Sequence, residues 1–116
     1  MIVCVLDDLL FSVRISTAAK ALGADVYFER SPQTIVESIR AKMPSLVIFD
    51  LNCGKLHPMR VIAELKADPS TRNIRTLGFV SHVQSDTIAE ARQAGIDEVL
   101  ARSAFTERLG EILTRS

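Results

Sequence analysis

Five times along the chain a short apolar run gives way to a longer amphipathic segment. The first run, Ile2-Val-Cys-Val-Leu6, is β-branched and uninterrupted, and Asp7-Asp8 follows it directly. An unbroken apolar strand is one buried on both faces, as in a parallel sheet covered by helices. The spacing of Leu10, Val13, Thr17, Ala18, Ala21 and Leu22 predicts a helix ended by Gly23. Ala24-Asp-Val-Tyr-Phe28 alternates, which predicts a strand nearer the sheet edge. Ser31-Pro32 predicts the N-cap and first turn of a helix carrying Ile35, Val36 and Ile39, with Pro44 beyond its end. Leu46-Val-Ile-Phe49 is the most apolar run and stops at Asp50. A polar loop from Asn52 to His57 leads to a helix opened by Pro58. Thr76-Leu-Gly-Phe-Val80 predicts the fourth strand and ends at Ser81. A helix from about Asp86 to Ala94, a short strand Glu98-Val-Leu100 and one last helix through Phe105, Leu109, Ile112 and Leu113 complete the pattern.

Five βα units require a parallel sheet with helices on both faces. At 116 residues the common arrangement is a flavodoxin-like, doubly wound α/β fold, with five strands in the order 2-1-3-4-5. The length predicts one domain, 1–116, without a separate output domain. Lys and Arg number 14 and Asp and Glu number 14, so no basic excess argues for a nucleic-acid binder. No apolar run approaches the ~20 residues that span a bilayer, and no signal peptide is expected. Cys4 and Cys53 follow no metal or redox spacing, which fits a reduced cytoplasm.

Sites on sheets of this kind lie beyond the carboxyl ends of the strands, at the switch point of the strand order. Asp7 and Asp8 end strand one, Asp50 strand three and Ser81 strand four, while Arg102 falls near the end of strand five. Three carboxylates, a hydroxyl and a guanidinium would converge there. Crowded like charges call for a compensating cation. Hard oxygen donors at this density suit Mg²⁺, and a carboxylate at a strand end is a possible nucleophile toward phosphorus. Relief of that crowding predicts a more stable metal-free protein on Asp8→Asn. Gly54-Lys55 is not a phosphate-binding P-loop, because no glycine lies five residues earlier and no Ser or Thr follows. His57 and His82 are expected to be loop residues, and Cys4 a buried apolar one.

Over essentially its whole length the chain resembles the response-regulator receiver domains of two-component signalling. The match is carried by Val5-Leu-Asp-Asp8, Leu46-Val-Ile-Phe-Asp-Leu51, Leu65-Lys-Ala-Asp-Pro-Ser-Thr-Arg-Asn-Ile74, Phe79-Val-Ser81 and Ala94-Gly-Ile-Asp-Glu-Val-Leu100. The resemblance implies a signalling module rather than an enzyme. Asp50 would accept a phosphoryl group from a histidine kinase or phosphotransfer protein. Asp7, Asp8, Asp50 and the backbone carbonyl of Asn52 would hold Mg²⁺. Ser81 and Arg102 would contact the phosphoryl group, and the output would be docking to a downstream protein through helix four, strand five and helix five. The chain departs from the family at several positions: Arg102 stands for lysine, Ser103 for proline, Val99 for an aromatic residue and His82 for a small one. Those departures raise an alternative, a degenerate pseudo-receiver that serves as a phosphorylation-independent interaction module. A third reading, a phosphohydrolase with an aspartyl nucleophile, calls for an acid two residues after Asp50, where the chain has Asn52.

Overall fold

A computed structural model describes residues 1–81 and 84–115. Five strands alternate with helices: β1 Ile2–Val5, β2 Val26–Glu29, β3 Leu46–Asp50, β4 Arg75–Val80 and β5 Glu98–Ala101. All neighbours pair parallel in the order β2-β1-β3-β4-β5. The strand order reverses between β1 and β3, whose registers pair Ile2 with Leu46 and Val5 with Phe49.

The helices are α1 Leu9–Leu22, α2 Ile35–Lys42, α3 Pro58–Ala67, α4 Ser85–Ala94, α5 Arg102–Glu107 and α6 Leu109–Thr114. Alternate strand residues feed opposite layers. Ile2, Cys4, Ile48, Leu77 and Phe79 pack with α1, α5 and α6 through Phe11, Ile15, Phe105 and Ile112. Val3, Val5, Val47 and Phe49 pack with α2, α3 and α4 through Ile35, Ile39, Ile62, Leu65 and Ala91. This period-two split is why the inner strands read as unbroken apolar runs. Gly78 on β4 sits where a side chain would collide: a Cβ there would lie 2.6 Å from Leu51 Cδ1 and 2.8 Å from Ile96 Cδ1.

Three local expectations are corrected. The inward face of α1 is carried by Phe11, Ser12, Ile15 and Ala19, while Leu10 and Val13 are 86% and 63% exposed. The segment is apolar on more than one side, so spacing alone could not choose the face. Ser31 and Pro32 do not open α2. The Ser31 hydroxyl donates to Gln33 Oε1 instead of capping a helix, a turn closes from Thr34 N to Ser31 O, and the helix begins at Ile35. The last helix is divided at Arg108 (φ −95°, ψ 7°). The division is shallow: Arg108 N donates to Ala104 O and Ile112 N to Arg108 O across it.

Candidate functional site

The carboxyl edge of the sheet gathers the residues singled out from the sequence. Asp8 is the N-cap of α1: its backbone is extended, and its Oδ1 accepts the N–H of Phe11 at 3.0 Å. This satisfies one of the donors a helix start leaves open. The other carboxylate oxygen accepts from Arg102 Nη2 at 3.0 Å. The Phe11 N–H and the guanidinium together hold the Asp8 pKa below the usual carboxylate value.

Arg102 opens α5 directly after β5, which brings it across the sheet edge to Asp8. Its Nη1 lies 3.5 Å from the Ser81 hydroxyl, a long contact. Its guanidinium carbon sits 4.1 Å from the ring centroid of Phe11 and 5.9 Å from that of Phe79. Phe11, Phe79 and Phe105 form one aromatic cluster with centroids 4.9 to 5.8 Å apart. The charge therefore rests on the rim of the core.

Asp50 closes β3. Its Oδ1 accepts the backbone N–H of Asn52 at 3.0 Å, and no described residue makes an ion pair with it. Burial raises its pKa above the usual value; the Asn52 N–H and the Arg102 charge oppose that rise and Asp8 adds to it. Asn52 is engaged as a side chain as well. Its Oδ1 accepts from Ser81 N at 2.7 Å and its Nδ2 donates to Gln84 Oε1 at 3.2 Å, which ties the β3–α3 loop to the loop after β4. The Asn52 backbone carbonyl, expected as a metal ligand, accepts from Gly54 N at 3.1 Å. Asp7 pairs with Lys55, Nζ to Oδ2, at 3.1 Å.

Asp8, Ser81 and Arg102 thus form one contact chain and Asp50, Asn52 and Ser81 another. Among the described residues, no hydrogen bond joins Asp7 to either. Lys55, Phe11 and Gln84 also take part, and the sequence reading does not assign them to the site. For Lys55 the available signal is its place in the loop after Asp50. Val99 is half-buried on β5 opposite Gly78, and Ser103 is exposed on α5. His82 lies outside the described residues.

The donor chemistry suits a hard divalent cation, since Asp7, Asp8, Asp50 and the Asn52 carbonyl offer only oxygen. Two of these acids already attract cations of the chain itself, Lys55 and Arg102. Among the described residues no three His, Cys, Asp or Glu side chains are drawn into a ready-made metal cluster.

No model of a known protein family matches the sequence, and no curated protein does. Solved structures do match. The receiver domain of sensor histidine kinase PA1611 from Pseudomonas aeruginosa PAO1, described with a magnesium ion in its active-site cleft, superposes with a TM-score of 0.83 at 20% identity. The match covers 98% of this chain and 93% of that one. The chemotaxis response regulator CheY4 of Vibrio cholerae gives a TM-score of 0.82 at 14% identity, covering 98% and 95%. The Mn²⁺-bound response regulator Rcp1 gives 0.76 at 17% identity, covering 96% and 89%. The chain has the receiver-domain fold over nearly its whole length, as the sequence resemblance implied.

Proposed function

We propose that the chain is a response-regulator receiver domain that takes a phosphoryl group on Asp50 from a histidine kinase or phosphotransfer protein and signals by docking to a downstream protein. One observation carries this reading: the acid that ends β3 is half-buried, tethered through one oxygen by Asn52 N–H, and lies within the fields of Asp8 and Arg102. The tether leaves Oδ2 as the attacking atom. In transfer, Asp50 Oδ2 bonds to phosphorus as the bond from phosphorus to the donor nitrogen breaks, and an acyl phosphate results.

Asp7, Asp8, Asp50 and the Asn52 carbonyl would hold Mg²⁺, which when bound supplies positive charge against the phosphoryl oxygens. Ser81 and Arg102 would serve as hydroxyl and cation for the transferred group. α4, β5 and the last helix, α5 together with α6, form the surface proposed for docking. A balanced net charge supports protein partners over nucleic acid. A cytoplasmic location belongs to the same reading, supported by two free cysteines, Cys4 and Cys53. No helix among the described residues is long and apolar enough to cross a membrane. The chain serves as a signalling module, and no output domain is assigned to 1–116.

The charge pairs Arg102–Asp8 and Lys55–Asp7 favour a second reading, the constitutive pseudo-receiver, because the acid cluster is partly compensated without metal. Intact-mass measurement after incubation with Mg²⁺ and a small acyl-phosphate donor decides between the two. A gain of one phosphoryl group that requires Mg²⁺ and is lost in Asp50→Asn is expected. No gain with any donor overturns the receiver reading in favour of the module.

A further inference from the structure

We infer that Arg102 is an internal competitor for the metal, and that Phe11 is the positioning residue that keeps it in place. This inference rests on the Mg²⁺ site proposed above and adds a control on its occupancy.

The guanidinium is held from three directions. Asp8 Oδ2 accepts from Nη2 at 3.0 Å, Ser81 Oγ lies 3.5 Å from Nη1, and the Phe11 ring centroid lies 4.1 Å from the guanidinium carbon. A guanidinium carries its donors in a fixed fork, so with its charge over the Phe11 ring it reaches Asp8 and Ser81 from one position. Phe11 is itself immobilised: it is 5% exposed and packs on Phe79 and Phe105 at 5.1 and 5.8 Å. Asp8 also caps α1, so it cannot retreat from Arg102 without uncapping the helix. A metal that takes Asp8 Oδ2 must therefore displace the guanidinium, whose other polar contact is Ser81. Arg102 is held on Asp8 in one state and free to meet a phosphoryl group in the other.

Lys55 differs. It is bound to Asp7 by a single contact, and its side chain is 64% exposed. Such a pair is weak and yields readily.

The test is calorimetric titration of Mg²⁺ into wild type, Arg102→Gln, Phe11→Leu, Phe11→Tyr and Lys55→Gln. Loss of one charge-assisted bond to Asp8 should tighten Mg²⁺ binding about tenfold in Arg102→Gln. Phe11→Leu removes no charge, yet it should tighten binding about threefold by freeing the guanidinium. Phe11→Tyr keeps the ring and should restore the wild-type value. In wild type the Arg102 Nε–H resonance should shift as Mg²⁺ is added. Equal or weaker binding by Arg102→Gln overturns the inference and leaves the metal site standing. Equal gains in Arg102→Gln and Lys55→Gln, with none in Phe11→Leu, reduce the effect to bulk charge and overturn it as well. Absence of binding in every variant overturns both the inference and the metal site.

Discussion

The side-chain carbonyl of Asn52 accepts the backbone N–H of Ser81 at 2.7 Å, so the loop leaving β3 is latched to the end of β4. The Asn52 amide also reaches Gln84. Asn52→Ala removes both bonds at an exposed position and should cost about 1 kcal/mol in chemical denaturation. Asn52→Asp keeps an acceptor for Ser81 and should lose less. An unchanged denaturant midpoint in Asn52→Ala would show that the bond to Ser81 contributes nothing.

Asp50 carries the opposite sign of pH dependence from an ordinary paired acid. Its pKa is raised in the fold, chiefly by burial. The folded state then holds its proton more tightly than the unfolded chain, and stability falls as pH rises from the unfolded carboxylate value through the folded one. Without metal, Asp50→Asn should therefore melt at a higher temperature than wild type at neutral pH. The advantage should shrink as pH drops toward the acid range. A constant difference across pH would show that the burial of charge is not its source.

Crowding of acids, read from the sequence, predicts that Asp8→Asn stabilises the metal-free protein. The structure reverses that sign, because Asp8 is bonded to Arg102 and caps α1. Asparagine still caps a helix but gives up the ion pair, so Asp8→Asn should lose about 0.5 kcal/mol of metal-free stability. Asp8→Ala gives up both and should lose about 1.5 kcal/mol. Thermal melts of the two variants without metal check this order. A higher melting temperature in Asp8→Asn would mean that repulsion among the acids outweighs the pair with Arg102.

Gly78 tests the close packing behind the site. A methyl group there meets Leu51 and Ile96, which are buried side chains with little freedom to move. Gly78→Ala should lower stability by about 1–3 kcal/mol, read from the denaturant midpoint. Leu51 follows Asp50 directly, so the same variant should also shift the resonances of Asp50 and Asn52. An unshifted loop would separate the packing from the site.

The strands and their carboxyl ends were legible because each inner strand is an apolar run stopped by a polar residue. Asp7, Asp50 and Ser81 fall where that rule puts them. The inward face of α1 was not legible, because Leu10 and Val13 fit helical spacing as well as Phe11 and Ile15 do. What distinguishes them is contact with Phe79 and Phe105, residues distant in the chain. The pairing of Arg102 with Asp8 rather than Asp50 was hidden for the same reason. Composition gives the charges, but which acid the guanidinium meets depends on contacts, with Asp8 and with the Phe11 ring, between residues far apart in the chain. The shallow break at Arg108 had no signal in a stripe that runs evenly from Phe105 to Leu113.

The ring of Phe11 belongs to the oily interior and also lies against a site charge. Positions 11 and 102 are therefore not free to drift independently over evolutionary time. An aliphatic residue at 11 would leave the interior filled but the cation untethered, and a lysine at 102 would keep the charge but forfeit the fork that reaches Asp8 and Ser81 together. Among descendants of this sequence, changes at these two positions should be inherited as a pair, and a lineage that alters one alone should be rare.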